Sequence, residues 1–139
     1  MPTGSPHRDL ASNRKARHHY DILDTYEAGL LLLGTEVKSL RTNGGSIQEA
    51  YVVIDKGEVW LKKASIVPYQ MAHLFNHEEI RDRKLLLHHR EILKLKQSSQ
   101  EKGLTIIPLS LYLKRGNVKI KIALAKGRSQ YDKRTKLKE

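Results

Sequence analysis

Seven histidines, an acid in "YEAG" and several runs of cations are the side chains here that could do chemistry. His73 and His77 stand four apart, a spacing that would put both on one face of a helix and begin a metal site. A site needs a third ligand, and no other residue has a telling spacing to this pair. Cysteine is absent, so thiolate zinc sites, disulfide frameworks and cysteine nucleophiles are excluded together. His88 and His89 are neighbours and point to different sides of either a strand or a helix. Imidazole paired with lysine, or with Glu27, would suit general acid–base cleavage of RNA, but nothing in the spacing fixes such a pair. No metal, cofactor or catalytic set is therefore expected.

The cations carry the stronger signal. Lys119 and Lys121 in "VKIKIAL" need only a half-exposed strand with one solvated face. "NRKAR" (13–17), "RDRK" (81–84) and the terminal "YDKRTKLKE" place cations in irregular segments where no fold requires them, and dense charge in loops marks binding. Such side chains suit phosphate contacts, and Tyr131 and exposed histidines could stack on unpaired bases. Twenty-six Lys+Arg against fifteen Asp+Glu give a net charge of +11 and a pI near 9.9. That surplus points to a polyanion, most often nucleic acid. A membrane surface would need a basic amphipathic helix with bulky apolar residues opposite, and there is no good one. The longest apolar runs, such as "GLLLLG", are far too short to span a bilayer. The polar start has no signal-peptide h-region. A soluble, cytoplasmic protein is expected.

One domain fits 139 residues. Residues 1–12, with two prolines and no apolar period, are expected to be flexible. Residues 13–126 form the body, and 127–139 a basic flexible tail. "YDILDTYEAGLLLLG" alternates at Tyr20, Ile22, Asp24 and Tyr26, with a bulge or bend at Gly29. Residues 35–43 read as a helix capped by Thr35 and stopped by Gly44. "AYVVIDKGEVWLKKA" is a hairpin about Asp55-Lys56-Gly57. "KLLLHH" suits a strand and "REILKLKQSSQEKG" a helix ending at Gly103. "LTIIPLSLYLKRGNVKIKIALAKG" is a second hairpin about Arg115-Gly116-Asn117, with Leu109, Leu111 and Leu113 facing one way. Sequential hairpins without a β-α-β rhythm predict a mainly β fold: a small antiparallel OB-type barrel with two or three flanking helices and disordered termini.

"NRKARHHY", "EAGLLLLGTEVKSLR", "YVVIDKGEVWL", "FNHEEIRDRKLLLHHREI", "EKGLTIIPLSLYLKRGNVKIKIALAKG" and "YDKR" follow in order. Over residues 10–134 the chain resembles the SsrA-binding protein (small protein B) family, the bacterial partner of transfer-messenger RNA. His19 departs from the acidic residue usual after "RH", and the chain ends before the several helical turns of basic tail usual in the family. The resemblance implies a non-enzymatic adaptor in trans-translation, the rescue of stalled ribosomes. It implies binding to the tRNA-like domain of that RNA, with elongation factor Tu and the ribosome completing the assembly. The adaptor is expected to be a monomer. Carried onto this sequence, the RNA surface would use Asn13, Arg14, Lys15 and Arg17 from the arm, the acid Glu27, and Lys38, Ser39 and Arg41 from the first helix, that of residues 35–43. Asn76, His77, Arg81, Arg83 and Lys84 would line the long loop, with Leu86 and His88 just behind. Arg14, Lys15 and Arg83 rank first as direct contacts. If structural, Leu86 would be core, Glu27 would only pair with an arginine, and Ser39 would only face the helix surface. Tyr131, Asp132, Lys133 and Arg134 would meet the decoding centre of the small subunit. A general RNA chaperone or a ribosomal OB-fold protein is the alternative.

Overall fold

The computed structural model describes residues 9–72 and 75–128. Its elements run β1 (Asp9–Ser12), α1 (Ala16–His19), β2 (Tyr20–Leu30), α2 (Gly34–Asn43), β3 (Tyr51–Asp55), β4 (Glu58–Lys62), β5 (Arg83–Leu86), α3 (His89–Lys102), β6 (Thr105–Lys114) and β7 (Asn117–Gly127). The class is mainly β, as expected, with three helices. All pairings are antiparallel. The strand order is β1-β6-β3-β4-β5-β2-β7, and β6 also pairs with β7. That last pairing brings β7, at one end of the order, back to β6, so six strands bond in a circuit, with β1 added beside β6.

Asp9–Ser12 lies in the sheet although the sequence up to residue 12 suggests flexibility. Leu10 and Ala11 are buried there, and two apolar residues are too few to show a period. The expected tail begins inside β7 at Gly127 and continues through Arg128, whose N–H donates to the His19 carbonyl at 2.9 Å. Residues 1–8 and 129–139 lie outside the described residues.

The alternation of β7 sets the core. Val118, Ile120, Ile122 and Leu124 join the main apolar cluster, together with Leu40, Leu61, Leu85, Leu95 and Leu111. Burying each such side chain stabilises by roughly 1.5–3 kcal/mol. Ala123 and Ala125 point the other way and form a second cluster with Ala16 and Ile107.

Two bulges decide which residues reach which cluster. Register against β7 shifts between Ile22 and Asp24 in β2, and between Pro108 and Ser110 in β6. One extra residue turns the rest of a strand over. Tyr26, Ala28 and Leu30 therefore face the main core, while Tyr20, Ile22 and Leu109 pack on the second cluster. This corrects the expectation of an unbroken alternation from Tyr20 to Tyr26, and of Leu109 sharing a face with Leu111. Gly29 is not the bulge. It pairs regularly with Leu86 and Lys119, and a Cβ there would lie 3.3 Å from that of Leu86.

Both hairpins close in two residues, one fewer than the sequence suggested. Asp55 pairs with Glu58 and Lys114 with Asn117. The central residues all have positive φ: Lys56 53°, Gly57 79°, Arg115 53° and Gly116 82°, as a type I′ turn requires. Helix α2 is capped two residues earlier than expected, at Leu33. The Glu36 carboxylate, at the third helical position, reaches back to accept the Leu33 N–H at 2.8 Å, and the Thr35 hydroxyl is bonded to the His77 ring at 2.9 Å.

Candidate nucleic-acid interface

The arm is fixed to the sheet by groups that are not its charges. Ala16 is buried against Ala123, Ala125 and Ile107, and the three alanines let α1 lie close on the strands. The Asn13 N–H donates to the Leu109 carbonyl at 2.9 Å and its side-chain amide to that of Pro108 at 3.0 Å. Asn13 therefore holds the arm against the β6 bulge, while Arg14, Lys15 and Arg17 stand exposed.

Cross-strand register places Glu27 beside Lys121, Lys121 beside Ser110, and Ser110 beside Ser12. The next row on the same face runs Leu86, Gly29, Lys119, Tyr112 and Asp9. Glu27 Oε2 accepts from the Tyr112 hydroxyl at 2.5 Å, and Lys114 Nζ donates to Oε1 at 3.2 Å. The Tyr112 hydrogen bond, with help from Lys114 and nearby Lys119, outweighs desolvation and holds the Glu27 carboxyl below its ordinary pKa. Burial and the Glu27 charge push the Tyr112 phenol up. Leu86 is 49% exposed on this face rather than in the core, because strand alternation turns Arg83 and Leu85 inward and Lys84 and Leu86 outward. Lys84 itself pairs with Glu58 at 2.6 Å.

The α2 side is organised around buried polar groups. Glu36 and Arg83 side chains are both fully buried, with Arg83 Nε donating to Glu36 Oε2 at 2.7 Å. Arg83 also donates to the carbonyls of Ala64 at 2.8 Å and Glu79 at 3.2 Å. Arg81 NH2 donates to Glu36 Oε1 at 2.6 Å. Ser39 is buried and donates to the Val67 carbonyl at 2.6 Å. The His77 ring is bonded at both nitrogens: Nδ1 to Thr35, and Nε2 donating to the Ile66 carbonyl at 2.8 Å. Asn76 receives the Tyr69 N–H at 3.1 Å and donates back to its carbonyl at 2.9 Å. These residues tie the long loop to α2 and β5. Lys38 lies 5.9 Å over the Tyr69 ring, within cation–π range, and Arg41 is exposed.

Two groups thus emerge from the residues expected at the RNA. Arg14, Lys15, Arg17, Glu27 and Leu86 share the outer sheet face or its rim. Ser39, His77 and Arg83 are buried, Arg81 and Asn76 are engaged by the protein itself, and the group presents Lys38 and Arg41. Arg83, ranked among the first contacts, has no surface with which to touch a ligand. His88 is the exposed N-cap of α3, its N–H donating to Glu91 at 3.1 Å.

Three participants escaped sequence reasoning. Glu36 sits beside buried Ser39 and Leu40 on α2, where an acid on an apolar face signals a buried partner. Tyr112 and Lys121 sit in strands whose registers bring them to Glu27. Among the described residues no group of three His, Asp or Glu could hold a metal, and His73 lies outside them. No helix among the described residues is long and apolar enough to cross a membrane.

A family model described as SmpB protein matches residues 10–139. The SsrA-binding protein of Protochlamydia amoebophila (strain UWE25) is 54% identical over 133 residues, covering 96% of this chain and 87% of the relative. That of Clostridium tetani (strain Massachusetts / E88) is 49% identical over 139 residues, covering 100% and 89%. A solved structure described as "tmRNA-SmpB: a journey to the center of the bacterial ribosome" contains a chain with a TM-score of 0.71 and 42% identity, covering 93% of this chain and 89% of that one.

Proposed function

The chain belongs to the SmpB protein family, and on that premise we propose that its outer sheet face is the surface with which it holds RNA. The protein is an SsrA-binding adaptor: it binds transfer-messenger RNA and works with it in trans-translation, the rescue of stalled ribosomes. The observation that carries the reading is the arm. Ala16 and Asn13 spend their contacts on the sheet, and Arg14, Lys15 and Arg17 are left in solvent for phosphate.

The finer reading has four parts. The circuit of strands is an OB-type barrel, with residues 13–126 as the RNA-holding body. The tRNA-like domain lies on the face bearing Glu27, Leu86 and the arm cations, with Lys38 and Arg41 on its margin. The tail bearing Tyr131, Asp132, Lys133 and Arg134 meets the decoding centre of the small subunit. The protein acts in the cytoplasm as a monomer and meets elongation factor Tu through the RNA.

Competition of labelled transfer-messenger RNA against bulk tRNA and ribosomal RNA fragments tests the reading. A strong preference for the first is expected. Equal competition would instead identify a general RNA chaperone or ribosomal protein.

A further inference from the structure

Lys119 and Lys121 are accounted for in the sequence by strand alternation alone, and a solvated lysine needs no ligand. The register gives Lys121 a different setting. It stands between Glu27 on β2 and Ser110 on β6, and Ser110 faces Ser12 on β1. A groove of about 270 Å³ opens there, lined by Arg14, Arg17, Lys121, Ser110, Ser12 and Asp9, among others. Three of these side chains are cations and one is an acid.

The neighbouring acid is already engaged. Glu27 takes the Tyr112 hydroxyl at 2.5 Å and Lys114 at 3.2 Å. Lys121, Arg14 and Arg17 are exposed and take part in none of the salt bridges among the described residues. They converge because Asn13 and Ala16 dock the arm on the sheet. Such a grouping of mutually repelling cations costs stability in the free protein and is relieved by an anion.

We infer that Lys121, with Arg14, Arg17 and the Ser110 hydroxyl, seats a backbone phosphate of the bound RNA. The inference rests on the adaptor reading and adds to it a residue from the sheet itself. The lysine supplies a point charge, the two arginines planar forks, and the serine a neutral donor. Glu27, held on the far side of Lys121, repels a second phosphate and so limits where the strand can run.

The test is a salt titration of binding to the tRNA-like portion of transfer-messenger RNA, with wild type, Lys121→Ala and Lys121→Arg. Loss of one phosphate contact should make the slope of log K against log salt shallower by about 0.7–0.9. Affinity of Lys121→Ala near 0.1 M salt should fall roughly three- to tenfold, a screened charge-assisted contact. Lys121→Arg should keep the wild-type slope. The thermal midpoint of Lys121→Ala should lie at or slightly above that of wild type, since the side chain is exposed and its removal relieves repulsion, and Lys121→Arg should melt like wild type. An unchanged slope and affinity in Lys121→Ala, with wild type still preferring this RNA over bulk tRNA, overturns the phosphate seat alone. A wild type without that preference overturns the adaptor reading, and the seat with it.

Discussion

Arg83 and Glu36 meet 2.7 Å apart with both side chains shut off from solvent, so the central arginine of a segment that looks made for phosphate is spent on the protein's own carboxylate. The pair joins β5 to α2. Through the Ala64, Glu78 and Glu79 carbonyls it also fixes both ends of the long loop.

Removing either partner leaves an unpaired buried charge, which typically costs about 3–5 kcal/mol. Arg83→Ala and Glu36→Ala should each lower the thermal midpoint steeply. Arg83→Lys should rescue little, since an ammonium cannot span the same fork of acceptors. Loss of RNA binding should follow the fraction unfolded. A variant that melts like wild type yet binds RNA weakly would return Arg83 to the contact surface.

Acid should loosen the same junction. Burial opposes the Glu36 charge, but hydrogen bonds from Arg81, the Leu33 N–H and Arg83 outweigh it, so the carboxyl titrates below its ordinary 4.5. A carboxyl with a lower pKa folded than unfolded contributes stability that is complete above the unfolded value and is lost as pH falls through the folded one. Urea midpoints should therefore hold down to about pH 5 and fall below 4.5, with Glu36→Gln flattening part of that fall. An equal acid response in both proteins would assign the effect to other carboxylates.

Ile120 has no exposed surface in the main core. Ile120→Ala should cost about 2–5 kcal/mol through the cavity it leaves, with RNA affinity per folded molecule unchanged. Calorimetry and filter binding on one sample compare the two quantities. A drop in affinity without loss of stability would contradict the assignment.

The tail should separate binding from rescue. Replacing Asp132, Lys133 and Arg134 with alanine should leave affinity for the isolated RNA within about twofold, well short of the 1.4 kcal/mol of a tenfold change. Peptide tagging on stalled ribosomes should be abolished. If deletion after Lys126 removes binding to free RNA, the tail belongs to the RNA-holding surface; Arg128 would be the first suspect, since it is clamped to Asp21 at 2.8 Å.

Local chemistry made much of the fold legible. Lys56-Gly57 and Arg115-Gly116 declare their hairpins, Gly103 ends α3 with φ 62°, and Val118, Ile120, Ile122 and Leu124 show their core face by alternation. The site was less legible because long-range register decides it. "RDRK" appears as a run of cations, yet strand geometry sends Arg83 inward with Leu85, and only the sheet reveals that Glu36 waits there. The bulge at Leu23 has no glycine or proline beside it, so nothing local announces that β2 changes face, whereas in β6 Pro108 stands directly before the bulge at Leu109 and is a mark that the alternation of leucines hides. Lys121 could not be told from any solvated lysine until Ser110 and Glu27 were set beside it.

The burial of Arg83 also alters how the molecule meets a polyanion at a distance. From Glu78 to Lys84 the formal charges cancel, three acids against three bases, and the bases there are matched again by Glu36 and Glu58. Arg14, Lys15, Arg17 and Lys121 form none of the salt bridges among the described residues, although Asp9 lines their groove and Glu27 stands across from Lys121. If RNA docks on the arm as proposed, this imbalance would turn an approaching RNA toward it before any contact forms. Orientation during diffusion, and an association rate that falls with salt, would then depend on the burial of Arg83 as well as on the surface cations.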